Sequence, residues 1–71
     1  MVDFVKLNSM VEESGMTITT LTERAGIDRA TYYNRLNGIG EFKASEIEGL
    51  TRALRLTNKQ RDEIFFCKKV D

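Results

Sequence analysis

Apolar residues along this chain recur at helical spacing in five short runs. Phe4, Leu7 and Val11 stand at i, i+3 and i+7 and predict a helix from Val2 to about Ser14, with Asp3 in its first turn and Gly15 as its stop. Ile18, Leu21 and Ala25 repeat that spacing in a second helix, for which Thr17, or Thr20 followed by Glu23, offers a hydroxyl cap. Gly26 then supplies a residue that takes positive φ without steric cost, as a sharp helix exit requires. Ile27 plugs the corner, and Asp28 is placed to cap a third helix running from Arg29 to about Asn37. A fourth helix is expected over Ala44 to Leu54, with Ile47, Leu50 and Leu54 as its stripe. Ser45 to Glu48 has the form of a capping box, which would start that helix a residue or two later. Gly49 inside it costs roughly 1 kcal/mol against Ala, so a close helix contact is the expected reason for it. Thr57 and Gln60 form a second capping-box pattern and open a fifth helix to about Phe66.

The inward residues expected from this pattern are Phe4, Leu7, Val11, Leu21, Ala25, Ile27, Tyr32, Leu36, Ile47, Leu50, Leu54, Leu56 and Ile64. Ile39 and Phe42, in the loop after Gly38, are expected to tuck into the same core. Ile64, Phe65, Phe66 and Cys67 in succession exceed what one face of a short helix buries, which suggests a surface covered by a partner. The predicted class is all-α: a compact bundle of about five short helices, in one domain over residues 1–71.

The stretch from Thr17 to Gly38 has the syntax of two helices joined by a tight turn. On the second of them, at about 100° per residue, Tyr32 and Leu36 point one way, while Ala30, Tyr33, Asn34 and Asn37 point the other. Arg29 sits at the edge of that outer face. By default such a face is simply solvated. The fixed turn before it favours a different reading, because Asn, Tyr and Arg donate and accept at base edges and a small Ala permits close approach.

Composition narrows the chemistry. The chain has 71 residues, no His and one Cys, so neither an internal disulfide nor a zinc site is expected, and no other metal or cofactor either. Without His there is no imidazole acid–base catalyst, and the adjacent carboxylates Glu12-Glu13 and Asp62-Glu63 diverge on a helix. An enzyme is therefore rejected, and no small-molecule substrate is expected. No apolar run is long enough to span a membrane and no signal-peptide pattern opens the chain, so a cytoplasmic protein is expected. Eleven basic and eleven acidic side chains give no net charge, whereas most DNA-binding domains are basic. Arg24, Arg29, Arg35 and Lys43 against Glu23, Asp28 and Glu41 make a slight local excess of cations at the motif.

The run TITTLTERAGIDRATYYNRLNG resembles the helix-turn-helix of the Cro and lambda-repressor-like family of bacteria and their phages. The matching positions are Leu21, Ala25, Gly26, Ile27, Asp28, Tyr32 at a buried aliphatic position, and Asn37-Gly38. The continuation LNGIGEFKASEI, with IFF near the C-terminus, is similar to small phage-type Cro-like regulators of Gram-positive hosts. Departures are Thr22 where the family prefers Ala, Tyr32 where Ile or Val is usual, and Ile18 where a phosphate-contacting Gln is common.

The resemblance implies sequence-specific binding to double-stranded operator DNA as a transcriptional regulator or repressor. In that reading Arg29, Ala30, Tyr33 and Asn34 read bases in the major groove, and Thr17, Thr19, Thr31 and Lys43 hold phosphates. It also implies a homodimer on two half-sites, for which Phe65 and Phe66 are the candidate contacts. The alternative is the same fold used as a protein-interaction module that binds and modulates another repressor protein.

Overall fold

The computed structural model describes residues 2–67. Five helices follow one another: α1 (Phe4–Ser14), α2 (Ile18–Ala25), α3 (Arg29–Leu36), α4 (Ala44–Leu54) and α5 (Asn58–Phe65), with no strand among the described residues. The ends of the domain expected over 1–71, residue 1 and residues 68–71, lie outside the described residues.

Side-chain caps fix most of the helix starts. Asp3 serves as the N-cap of α1, accepting from the Lys6 N–H at 3.0 Å, so the helix begins two residues later than Val2. Thr17, not Thr20, caps α2 and accepts from the Thr20 N–H. Thr57 and Gln60 form the expected reciprocal pair at α5. Two expectations are corrected. Asp28 precedes α3 with extended backbone, but its carboxylate makes no capping hydrogen bond and stays in solvent. At α4 the cap is not Ser45: the helix starts at Ala44, and the Glu46 carboxylate folds back to accept from the Lys43 N–H at 2.9 Å.

α4 is the central beam, packed against α1, α2 and α5. Its closest approach is to α2, where a Cβ on Gly49 would stand 2.1 Å from the Ala25 carbonyl oxygen. No side chain fits there, so the loss in helix propensity is the condition for bringing the motif onto the core. The core comprises Leu7, Val11, Leu21, Ala25, Ile27, Tyr32, Leu50, Leu54, Leu56, Ile64 and Phe65, with Phe4, Leu36, Phe42 and Ile47 half-buried against it. α5 closes on α1 through the Asp3 N–H to the Ile64 carbonyl (2.7 Å) and through an ion pair between Lys6 and Glu63.

Ile39 does not tuck in; it is 60 % exposed. Phe65, expected at a dimer contact, is instead a core residue at 4 % exposure, while Phe66 is 56 % exposed. The difference is helical phase: Ile64 and Phe65 share the inward side of α5, Phe65 lying edge-on to Phe42 with ring centroids 5.4 Å apart. Phe66 falls past the last turn.

Candidate nucleic-acid interface

Gly26 has φ 73°, and its N–H bonds to the Glu23 carbonyl, ending α2 in the left-handed region that a glycine adopts freely. The Ile27 N–H then donates to the Thr22 carbonyl at 3.0 Å and its side chain is buried, which pins the corner between α2 and α3. Thr22, one of the residues that depart from the family pattern, fits because its hydroxyl donates to the Ile18 carbonyl at 2.8 Å and so enters the core satisfied. α3 is anchored by Tyr32, fully buried at 0 % exposure. An aromatic file runs inward from the surface: Tyr33 edge-on to Tyr32 at 6.2 Å, Tyr32 tilted to Phe42 at 6.3 Å, and Phe42 to Phe65.

With Tyr32 turned in, the opposite side of α3 is fixed outward. Arg29, Ala30, Tyr33, Asn34 and Asn37 are all exposed. Thr31 is half-buried on the flank of the helix. Arg29 Nη1 donates to Thr19 Oγ1 at 3.2 Å, so two residues expected in different roles meet across the turn. The Thr17 hydroxyl is occupied within its own cap, donating to Thr20 Oγ1 at 3.1 Å and accepting from the Thr20 N–H. Lys43 is exposed beyond α3, at the start of α4.

Such a tight turn, with a polar outward face on the helix that follows, is the geometry by which a second helix enters a groove. The sequence model of the Cro/C1-type HTH DNA-binding domain matches residues 6–59 of the 71. The chain belongs to the Cro/C1-type helix-turn-helix family. No curated protein and no solved structure gives a match. The match runs from the first turn of α1 through α4 to the start of α5, and includes every residue of the turn and of the outward face of α3.

The charges of this Cro/C1-type domain divide into used and free. Arg35, counted from sequence among the cations of the motif, is committed to the fold: Nε and Nη2 bond to the two oxygens of Glu46 at 3.2 and 3.4 Å, and Nη1 bonds to the Ile39 carbonyl at 3.2 Å. Burial raises the Glu46 carboxyl, but the Lys43 N–H and the Arg35 guanidinium outweigh it and hold it below the ordinary range. Arg24, Arg29 and Lys43 remain exposed, outside the salt bridges found among the described residues. Sequence reasoning missed this division because helical phase alone does not show that Arg35 reaches back to α4. The signal present was Glu46, the acidic residue of the first turn of α4.

Among the described residues no helix is long and apolar enough to cross a membrane.

Proposed function

We propose that this Cro/C1-type domain is a small phage-type regulator that binds operator DNA in a sequence-specific manner and represses transcription, acting in the cytoplasm of its host. The observation that carries the reading is the outward face of α3, set by the Gly26 turn and the buried Tyr32. Arg29, Ala30, Tyr33 and Asn34 read bases; Thr19, Thr31 and Lys43, with the first turn of α2 behind Thr17, hold phosphates. Two copies occupy two half-sites, about one turn of DNA apart. Phe66 is the side chain assigned to the contact between them.

Selection from random duplex DNA, followed by mobility shift, tests the proposal. An enriched sequence bound in preference to bulk DNA is the expected result. If folded protein binds no duplex even at about 50 mM salt, where phosphate contacts are strongest, the operator reading fails. The protein-interaction module would then replace it.

A further inference from the structure

Ile39 is an apolar, β-branched residue held in solvent by a structure built around its backbone. Its N–H donates to the Asn34 carbonyl at 2.8 Å. Its carbonyl accepts from Arg35 Nη1 at 3.2 Å. Arg35 in turn is clamped on Glu46, both side chains being 13–14 % exposed. A Cβ on the neighbouring Gly40 would stand 2.5 Å from Arg35 Nη1, and at φ 74° any other residue would be strained and would push the guanidinium aside. The side chain at the centre of this arrangement is nevertheless 60 % exposed.

Scattered surface hydrophobes need no explanation by themselves. Val5, exposed at 79 % on α1, is such a case. Ile39 differs in two respects. A largely buried ion pair and both of its backbone polar groups fix its position. That position is tied to Asn34 of the outward face of α3, just past the end of the helix. An eight-residue helix is about 12 Å long, so its outward side chains cover only a few base pairs at about 3.4 Å each. A side chain standing just beyond its C-terminal end extends that reach. The apolar feature offered by the major-groove edge of DNA is the C5 methyl of thymine.

We infer that Ile39, pinned by the Arg35–Glu46 clasp at the end of α3, is a specificity residue that packs on a thymine methyl at the edge of the half-site. The inference rests on the DNA-binding reading above and extends it to a residue outside the helix. Arg35 is a positioning residue in this scheme and touches no base.

The probe is the duplex enriched by the selection from random DNA, with each thymine replaced singly by deoxyuridine, which lacks only the methyl. One thymine, flanking the positions read by α3, should cost the wild-type protein about four-fold in affinity, the worth of one buried methyl-sized group. Ile39→Ser should lose a similar factor on the unmodified duplex and become indifferent to deoxyuridine at that same thymine. Its melting temperature should not change, since the side chain is exposed. The wild-type scan requires no variant to fold. A scan in which no thymine matters, or in which Ile39→Ser keeps the wild-type profile, overturns the assignment and leaves the operator reading standing. An unchanged profile together with loss of a dimer in sedimentation would move Ile39 to a contact between copies and also overturn it. Failure to enrich any duplex would overturn both readings.

Discussion

Arg29 Nη1 donates to Thr19 Oγ1 at 3.2 Å, across the turn that separates α2 from α3. The bond holds the one cation of α3 that faces outward and, on the proposed reading, reduces the rotamer freedom it would lose on DNA. Arg29→Ala and Asn34→Ala should each cost about 1–3 kcal/mol of specific affinity, the worth of a good bidentate base contact. Thr19→Val should cost less than Arg29→Ala, and the double variant should be less than additive because the two share a bond. Melting temperatures should hardly move, all three side chains being exposed. Mobility shifts paired with melting curves check this; unchanged affinity in Arg29→Ala and Asn34→Ala removes α3 from the interface.

Salt dependence should be shallow. With Arg35 bound to Glu46, few cations are left for phosphates. At about −0.9 per neutralised phosphate, log affinity against log salt should have a slope of roughly −2 to −4 per monomer. Lys43→Gln should flatten it by up to about one unit and weaken binding to all sequences alike. A slope near zero with intact specificity would contradict the phosphate assignments.

Acid should loosen the loop after α3. The Glu46 carboxyl is held below its ordinary pKa, so its contribution to stability is present above the unfolded value of about 4.3 and is lost as pH falls through the lower folded value. Glu63 adds to the acid side in the same direction, through its hydrogen bond from Lys6. Glu46→Gln should therefore reduce, without abolishing, the loss of thermal stability below about pH 4. Arg35→Met, which leaves a largely buried carboxylate without its cation and held only by the Lys43 N–H, should cost about 2–3 kcal/mol at neutral pH. Arg35→Lys should not restore it, since an ammonium cannot span Glu46 and the Ile39 carbonyl in the planar geometry of a guanidinium. Denaturant titrations across pH measure all of these.

The Tyr32 hydroxyl is buried without a hydrogen-bond partner. Burial, with a smaller contribution from Tyr33, pushes its pKa up to about 12. A raised pKa means that the folded state keeps its proton while the unfolded chain, at about 10, has lost it. Stability is then undiminished below about pH 10 and falls between about 10 and 12, by up to roughly 3 kcal/mol. Tyr32→Phe removes the orphaned hydroxyl and should stabilise the domain by about 1 kcal/mol while erasing this alkaline loss. A destabilised Phe variant would show that the hydroxyl has a partner after all.

Phe66→Glu should shift sedimentation towards monomer and weaken operator binding, with helical circular dichroism intact, because the side chain is 56 % exposed and outside the core. Phe65→Glu should instead unfold the domain, its ring being sealed against Phe42. A wild type that stays monomeric at high micromolar concentration and on DNA would refute the proposed contact.

Where apolar periodicity is regular, the sequence alone determined that a helix forms and which side of it turns inward. The five helices, the Gly26 turn, the Thr57–Gln60 cap and the outward face of α3 follow from local backbone preference and from which side of a helix is apolar. Gly49 even announced a close contact, though not that its neighbour would be the Ala25 carbonyl. What needed the tertiary structure was every question of which partner a side chain finds. Asp28 and Ser45 have capping chemistry yet make no cap; Glu46 and Arg35, eleven residues apart, find each other because the loop at 37–43 brings the first turn of α4 within reach of the Arg35 side chain. Ile39 has the composition of a core residue and lies outside, because Asn34 and Arg35 hold its backbone in the loop. Phe65 and Phe66 are chemically identical, and only their phase on the last turn of α5, as it packs on the core, sends one inward and leaves the other in solvent. Hydrophobicity is a property of a residue and is legible in order along the chain. Hydrogen-bond partnership and burial belong to pairs and surfaces, and these exist only once the helices have packed.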